Sequence, residues 1–290
     1  MSLLITDISG GVWHMTDADA QPARIPCPVQ APVAPCARGE CMAVACALQR
    51  QCLCMRLRDH ALISSMPAPP GVCDMCFSPC CRYLYQLSSE ADCVHTRCVA
   101  TGELLFAAPA GVFPRMMRLD AQGRTLLVAG GAVDEVYVLS APMLHTEAVI
   151  HTRSACFAAD RWRGGLVLVC ASEGDDIHTE VYILGKGKVR PRRLIELPGQ
   201  PGGLCVCPDG RCALISTCDG LMKMDLQSGR LLWNLTEWPL CMGICCRGAQ
   251  ALISDTLSAQ VCLLCHHTPW IRRVVFAGTG TQACFAGHTA

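Results

Sequence analysis

The chain is 290 residues long, 51% hydrophobic and 17% charged, and its 24 basic and 24 acidic side chains leave a formal net charge of zero. This composition excludes a disordered chain and argues against a general polyanion binder, and no apolar run reaches the roughly 18 residues of a spanning helix. The N-terminus, MSLLITDISGGVWHMTD, has no basic segment followed by a sustained apolar core, and the 24 cysteines fall mostly inside apolar runs, so a cytoplasmic chain with reduced thiols acting as small buried hydrophobes is expected.

In chain order, short apolar runs alternate with turn residues, which predicts strands joined by hairpins. LLITDI from Leu3, GVWHMTD from Gly11 and ARIPCPV from Ala23 come first. A turn at Gly39-Glu40 then opens CMAVACAL, followed by QCLCMRL and ALISSM. The same succession returns after Cys81-Arg82 as YLYQLSS, DCVHTRC and ELLFAAP, and after Gly123-Arg124 as TLLVAGG, EVYVLSA and TEAVIHT. It returns again after Gly164-Gly165 as LVLVCAS, EVYILGK and RRLIELP, after Gly210-Arg211 as CALIST, LMKMDLQ and GRLLWNL, and after Gly248-Ala249 as QALISDT, QVCLLCH and IRRVVFAG. The step is about 40 residues, the length of a four-stranded propeller blade.

Six complete units leave fragments at both ends. The N-terminus begins at a second strand, and its missing first strand is TQACFAGHT at the C-terminus. The expected fold is therefore all-β, a single seven-bladed β-propeller over 1–290 built of four-stranded antiparallel blades, its ring closed by a blade that the two termini share. The blades are expected at about 31–70, 71–112, 113–152, 153–200, 201–238, 239–280, and 281–290 with 1–30.

The stretch from Gly203 to Trp233, GLCVCPDGRCALISTCDGLMKMDLQSGRLLW, is the cleanest copy. Its Pro-Asp-Gly turn before an apolar strand and its Asp-Leu-Gln-Ser-Gly turn after the third strand resemble the YVTN-type repeat of the YncE-like seven-bladed propellers, with LDAQGRTLLVAGG and VATGELLF as weaker echoes. The resemblance implies the fold and leaves the function open, since a fold hosts many functions. Trp233, with Asp225 and Ser228-Gly229, also resembles the tryptophan-docking repeat of quinoprotein dehydrogenases; one such copy makes it a packing residue, and no quinone is expected.

Strand alternation sorts the turns by face. Turns between second and third strands hold Glu90, Asp92, Asp134, Glu135, Asp176, Asp219 and Asp255, whereas the opposite face collects arginines and lysines such as Arg82, Arg124, Arg211 and Arg247. A dipolar disc is expected behind the zero net charge. On the acidic side Arg115 and Arg153 stand in or beside turns leading into first strands, next to the funnel at the ring centre, with Asp134, Asp176, His178, Asp219 and Asp255 on the rim.

Local chemical signatures are sparse. Cys73, Cys76, Cys80 and Cys81 fall within nine residues, close enough in sequence for a zinc knuckle but split between a strand and its turn, so burial is expected. Cys262-Leu-Leu-Cys265-His266 matches the haem-attachment pattern, yet strand alternation would point residues three apart to opposite faces. His178, among Asp175, Asp176 and Glu180, is a combination able to hold a divalent cation, although a solvated loop histidine is the expectation. No catalytic residue, metal or cofactor is expected. The expected function is a non-catalytic binding or scaffold propeller that presents its acidic face and central funnel to a protein or small ligand, without membrane or nucleic-acid partners. The alternative is a metal-assisted, lactonase-like hydrolase with its site at the channel mouth; the first strands offer mainly Asp74, Asp160 and Asp209 for it.

Overall fold

A computed structural model describes residues 2–7, 9–16, 20–28, 30–172, 178–186, 188, 192–236, 241–255, 260–277 and 282–286. Among them lie twenty-eight strands in seven four-stranded antiparallel sheets, and no helix long and apolar enough to cross a membrane. The sheets are the blades of a seven-bladed propeller.

The template blade shows how sequence sets the strands. Its runs pair in order as Pro201–Val206, Cys212–Thr217, Gly220–Asp225 and Leu231–Leu235. Asp209 Oδ1 accepts from the Arg211 N–H at 2.8 Å, and Gly210 takes a φ of 63°, closing the Pro-Asp-Gly turn. Asp225 Oδ1 accepts from the N–H groups of Gln227 and Ser228 at 3.1 and 2.7 Å, closing the next such turn. Asp209 therefore belongs to a turn and not to the first strand, because its side chain is spent on the backbone it bends.

First strands line the ring centre: Pro32–Arg38, Val72–Phe77, Met116–Leu119, Cys156–Trp162, Pro201–Val206, Cys241–Arg247 and Gln282–Ala286, in blades 1 to 7. Blade 7 joins the ends of the chain, with Gln282–Ala286 antiparallel to Ser2–Asp7 and Leu4 opposite Cys284. Its outer strand is only Ala23–Arg24, shorter than the sequence suggests; Pro26 and Pro28 just beyond cannot donate to a ladder.

Seven hydrophobic clusters fill the seven gaps between neighbouring blades. Second strands are covered on both sides: Ala43 and Ala45 pack toward blade 2, Met42, Val44 and Cys46 toward blade 7. That double burial explains why these runs are continuously apolar instead of alternating. Cysteines serve as filler here, with Cys52, Cys54, Cys156 and Cys170 at 0% exposure.

One hairpin departs from the repeat alignment. Trp162 pairs with Gly165, so the tight turn is Arg163-Gly164, with φ of 44° and 79°, and Gly165 already lies in the strand. A Cβ on Gly165 would stand 1.9 Å from the Leu184 carbonyl oxygen, which is why glycine occupies this strand position.

Candidate functional site: the central channel

The inner strands enclose a cavity of about 550 Å³ that follows the ring axis. At one register level, opposite second-strand residues such as Ala43, Tyr85 and Leu252, five blades present a cysteine: Cys36, Cys76, Cys205, Cys245 and Cys284. At the same level blade 3 carries Arg118 and blade 4 Asp160. Burial pushes the Cys245 thiol up to about 12, and the thiols of Cys36, Cys76 and Cys284 well above their usual range. At neutral pH these four thiols are uncharged, and the charged side chains at this level are Arg118 and Asp160.

Arg118 lies deep in the ring, yet 30% of its side chain is open to the channel. Its Nη1 donates to the Met117 carbonyl at 3.2 Å and stands 3.8 Å from Asp74 Oδ2. Desolvation works against its charge, and Asp74 and Asp160 outweigh it, so the guanidinium is held above its ordinary range. The two carboxyls respond the other way: desolvation raises both, against the pull of Arg118 and of backbone N–H donors. Asp74 Oδ2 accepts from Met117 N and Oδ1 from Met75 N, at 2.8 and 2.9 Å. Asp160 accepts from Val206 N and Arg161 N, both at 2.8 Å. Both acids are thus tied to backbone, which leaves Arg118 as the group presented to the cavity.

Arg115 also lines the cavity, with its guanidinium 5.0 Å from the centre of the Phe157 ring. Beside it the Cys73 thiol, raised by burial to about 12, donates to the Pro114 carbonyl at 3.2 Å. Sequence reasoning singled out Arg115 and missed Arg118, which reads as an ordinary strand residue until the ring closes around it. Of the other rim candidates, Arg153, Asp134 and Asp219 are exposed and do not line the cavity. Asp176 lies outside the described residues, and of Asp255 only the backbone is described.

Of the acids expected around His178, Glu180 stands beside it, Asp175 and Asp176 lie outside the described residues, and Glu196 joins from the fourth strand. His178 Nε2 is 3.5 Å from Glu196 Oε1 and 3.9 Å from Glu180 Oε1, and these three form the one group with metal-ligand proximity among the described residues. Glu180 and Glu196 face each other across the third and fourth strands of blade 4, away from the channel. Tyr182 and Ser154 donate to the other oxygen of Glu180. Cys73, Cys76, Cys80 and Cys81 do not converge: the first two line the cavity, and Cys81 turns to the Arg38 carbonyl at 3.3 Å. The haem-like motif separates too, with Cys262 in the core between blades 5 and 6, Cys265 part-exposed, and His266 buried against Gly248 and Lys223.

No protein-family profile matches the chain, and no curated protein is significantly similar to it in sequence. Solved structures do match. A functionally unknown protein from Desulfotomaculum acetoxidans superposes with a TM-score of 0.73 at 10% identity, over 98% of this chain and 99% of that one. A candidate 6-phosphogluconolactonase from Bacteroides uniformis gives 0.71 at 10% identity, with the same coverage. The Kuenenia stuttgartiensis hydrazine synthase gives 0.68 at 12% identity, over 83% of this chain and 78% of that one. At such identities the likeness establishes the propeller fold.

Proposed function

We propose that this propeller is a non-catalytic binding protein whose central funnel takes a small anionic ligand, gripped by Arg118 inside the channel and Arg115 near its mouth. The observation that carries this reading is Arg118, a part-buried guanidinium whose exposed surface opens onto a cavity of about 550 Å³. A concave cavity of that size with a few convergent charged groups is the usual form of a small-ligand site. The planar fork of an arginine suits carboxylate and phosphate, and the raised thiols of Cys36, Cys76, Cys245 and Cys284 add no negative charge to compete with such a ligand. On the face where Arg115 lies, the exposed carboxylates of Asp134 and Asp219 would offer a surface to a protein partner.

The lactonase-like alternative draws on the candidate 6-phosphogluconolactonase of the same fold. Its difficulty is placement. Asp74 is the one carboxylate among the residues described as lining the cavity, and both its oxygens are bonded to backbone N–H groups; the group able to hold a metal is at the outer strands of blade 4.

Calorimetric titration with phosphate, phosphate monoesters and dicarboxylates separates the readings. At least one anion should bind with one-to-one stoichiometry and lose roughly tenfold or more in affinity in Arg118→Met, as expected for a charge-assisted hydrogen bond. Equal binding by Arg118→Met, or none by the wild type, would overturn the proposal, and turnover of a phosphorylated lactone would favour the hydrolase.

A further inference from the structure

The outer half of blade 4 gathers a second set of chemically active side chains, apart from the channel and from Arg118. His178 and Glu180 are two residues apart on the third strand, His178–Leu184, and so share one face of the sheet. Glu196, on the fourth strand, Arg192–Pro198, stands directly opposite Glu180. Antiparallel register thus brings one imidazole and two carboxylates together from two paired strands, on a scaffold more rigid than a loop. Carboxylates placed directly opposite one another repel, and a divalent cation held by both turns that contact into an attraction.

The separations suit a small cation. His178 Nε2 is 3.5 Å from Glu196 Oε1 and 3.9 Å from Glu180 Oε1, and the three donor atoms all lie within 4.8 Å of one another. Zinc takes bonds of about 2.0 to 2.2 Å to nitrogen and carboxylate oxygen, so tetrahedral geometry sets its donor atoms about 3.3 to 3.6 Å apart. Both edges that meet at the histidine are within a few tenths of an ångström of that spacing. Calcium wants roughly six to eight oxygen donors at longer range, whereas an imidazole with carboxylates suits a first-row divalent ion.

Neighbouring groups hold two of the ligands in place. The buried Tyr182 and Ser154 hydroxyls both donate to Glu180 Oε2, which leaves Oε1 on the side of the histidine. Ser154 is fixed in turn by Thr152, whose hydroxyl donates to the Ser154 carbonyl at 2.7 Å. Ser172 anchors His178: its N–H donates to the His178 carbonyl, and its hydroxyl accepts from the His178 N–H, both at 2.8 Å. Outer hydrogen bonds of this kind orient a ligand before the metal arrives. The Nε2 atom is closed to solvent, while Glu196, with 53% of its side chain exposed, leaves a way in.

We propose that His178, Glu180 and Glu196 form a zinc-binding site, with water in the fourth position, that links the outer strand of blade 4 to the strand beside it. The imidazole coordinates in its neutral form, so the two carboxylates balance the two charges of the ion. Arg192–Pro198 is paired along one side only, and its ladder to the third strand shifts register at Val181/Tyr182, next to the site. An ion bound there adds a cross-strand link and stabilises the folded blade by mass action.

The test is to titrate reduced, metal-free, full-length protein with Zn²⁺, and with Co²⁺ as its spectroscopic substitute. The chain has 24 cysteines, so the donor atoms must be read directly. Bound Co²⁺ should show d–d bands in the visible without the near-ultraviolet charge transfer of a cobalt–thiolate bond. His178→Gln and Glu196→Gln, made separately, should each weaken Zn²⁺ binding by about tenfold or more. Zinc should raise the melting temperature of the wild type and of neither variant, and Ca²⁺ should not compete with it. Glu196 is on the exposed outer strand, so Glu196→Gln decides the matter if His178→Gln fails to fold. A wild type that binds no zinc, a cobalt spectrum of thiolate ligation alone, or equal zinc affinity in Glu196→Gln would each overturn the proposal. Displacement of zinc by Ca²⁺ would overturn it too, by assigning the ion to an oxygen-only site.

Discussion

Asp160 on the inner strand of blade 4 accepts a 2.8 Å hydrogen bond from the backbone N–H of Val206 on the inner strand of blade 5. Asp74 makes the same bond to Met117 of blade 3, and Gln282 Oε1 accepts from the Ala34 N–H at 2.6 Å where blade 7 meets blade 1. Inner strands are edges, with one side of their backbone unpaired, and a buried N–H left without an acceptor is costly. Side chains of the preceding blade supply that acceptor. These contacts hold neighbouring inner strands in register with one another and so fix where Arg118 stands.

Asp160→Ala should therefore destabilise the protein by about 1 to 3 kcal/mol, the cost of leaving the Val206 N–H buried without its partner. Urea denaturation measures it. A loss below about 0.5 kcal/mol would show that water replaces the carboxylate and that the inter-blade bond contributes little.

The same residue predicts a pH dependence. Desolvation raises the folded-state pKa of Asp160 above its unfolded value, so the folded protein binds the proton more tightly. Its contribution to stability is then complete below the unfolded pKa and is lost as pH rises through the folded one. Asp160→Asn has no such titration. The stability of Asp160→Asn relative to wild type should rise with pH from about 4 upward, by at most about 1.4 kcal/mol per pH unit. A flat difference between the two from pH 4 to 8 would contradict the raised pKa.

Glycine positions give a sharper contrast. At Gly165 a Cβ would meet the Leu184 carbonyl oxygen at 1.9 Å, a backbone atom that cannot move without breaking the blade 4 ladder. Gly165→Ala should cost more than about 3 kcal/mol, in the range of the most disruptive single substitutions. Gly210, at φ of 63°, has nothing within 4 Å of its Cβ position, so Gly210→Ala meets only the left-handed backbone cost of about 1 to 2 kcal/mol. Comparable losses at the two sites would mean that the close approach at Gly165 is absent.

How much could be read from the chain follows from the range of each interaction. The turns at Asp209 and Asp225 are local: their side chains bond backbone within three residues, so Pro-Asp-Gly and Ser-Gly spell out hairpins and, through their spacing, the ring. The channel is a long-range product. Cys36 and Cys76 sit on its wall while Cys52 and Cys54 fill the core, and nothing in the residue type separates them. Register shifts at Val33/Cys36 and Val72/Asp74 spoil a simple count of alternation in just these strands. Arg118 is distinguished only by Asp74 and Asp160, which reach it from blades on either side. The approach of Glu196 to His178 depends on third-to-fourth strand register, which the turn residues do not specify.

Trp233 offers a last test, since the sequence reads its indole as a packing residue. It packs on the cluster between blades 5 and 6, and its Nε1 donates to the His266 carbonyl at 3.3 Å. That carbonyl also accepts from Lys223 at 2.8 Å, so it stays satisfied when the indole N–H is removed. The apolar contact should then dominate. Trp233→Phe should cost about 1 kcal/mol or less, and Trp233→Ala about 2 to 3, below the full value for a core tryptophan because the side chain is only part-buried. Equal losses in urea denaturation for Phe and Ala would assign the stability to the hydrogen bond instead, and with it a structural demand on the His266 carbonyl that Lys223 alone does not meet.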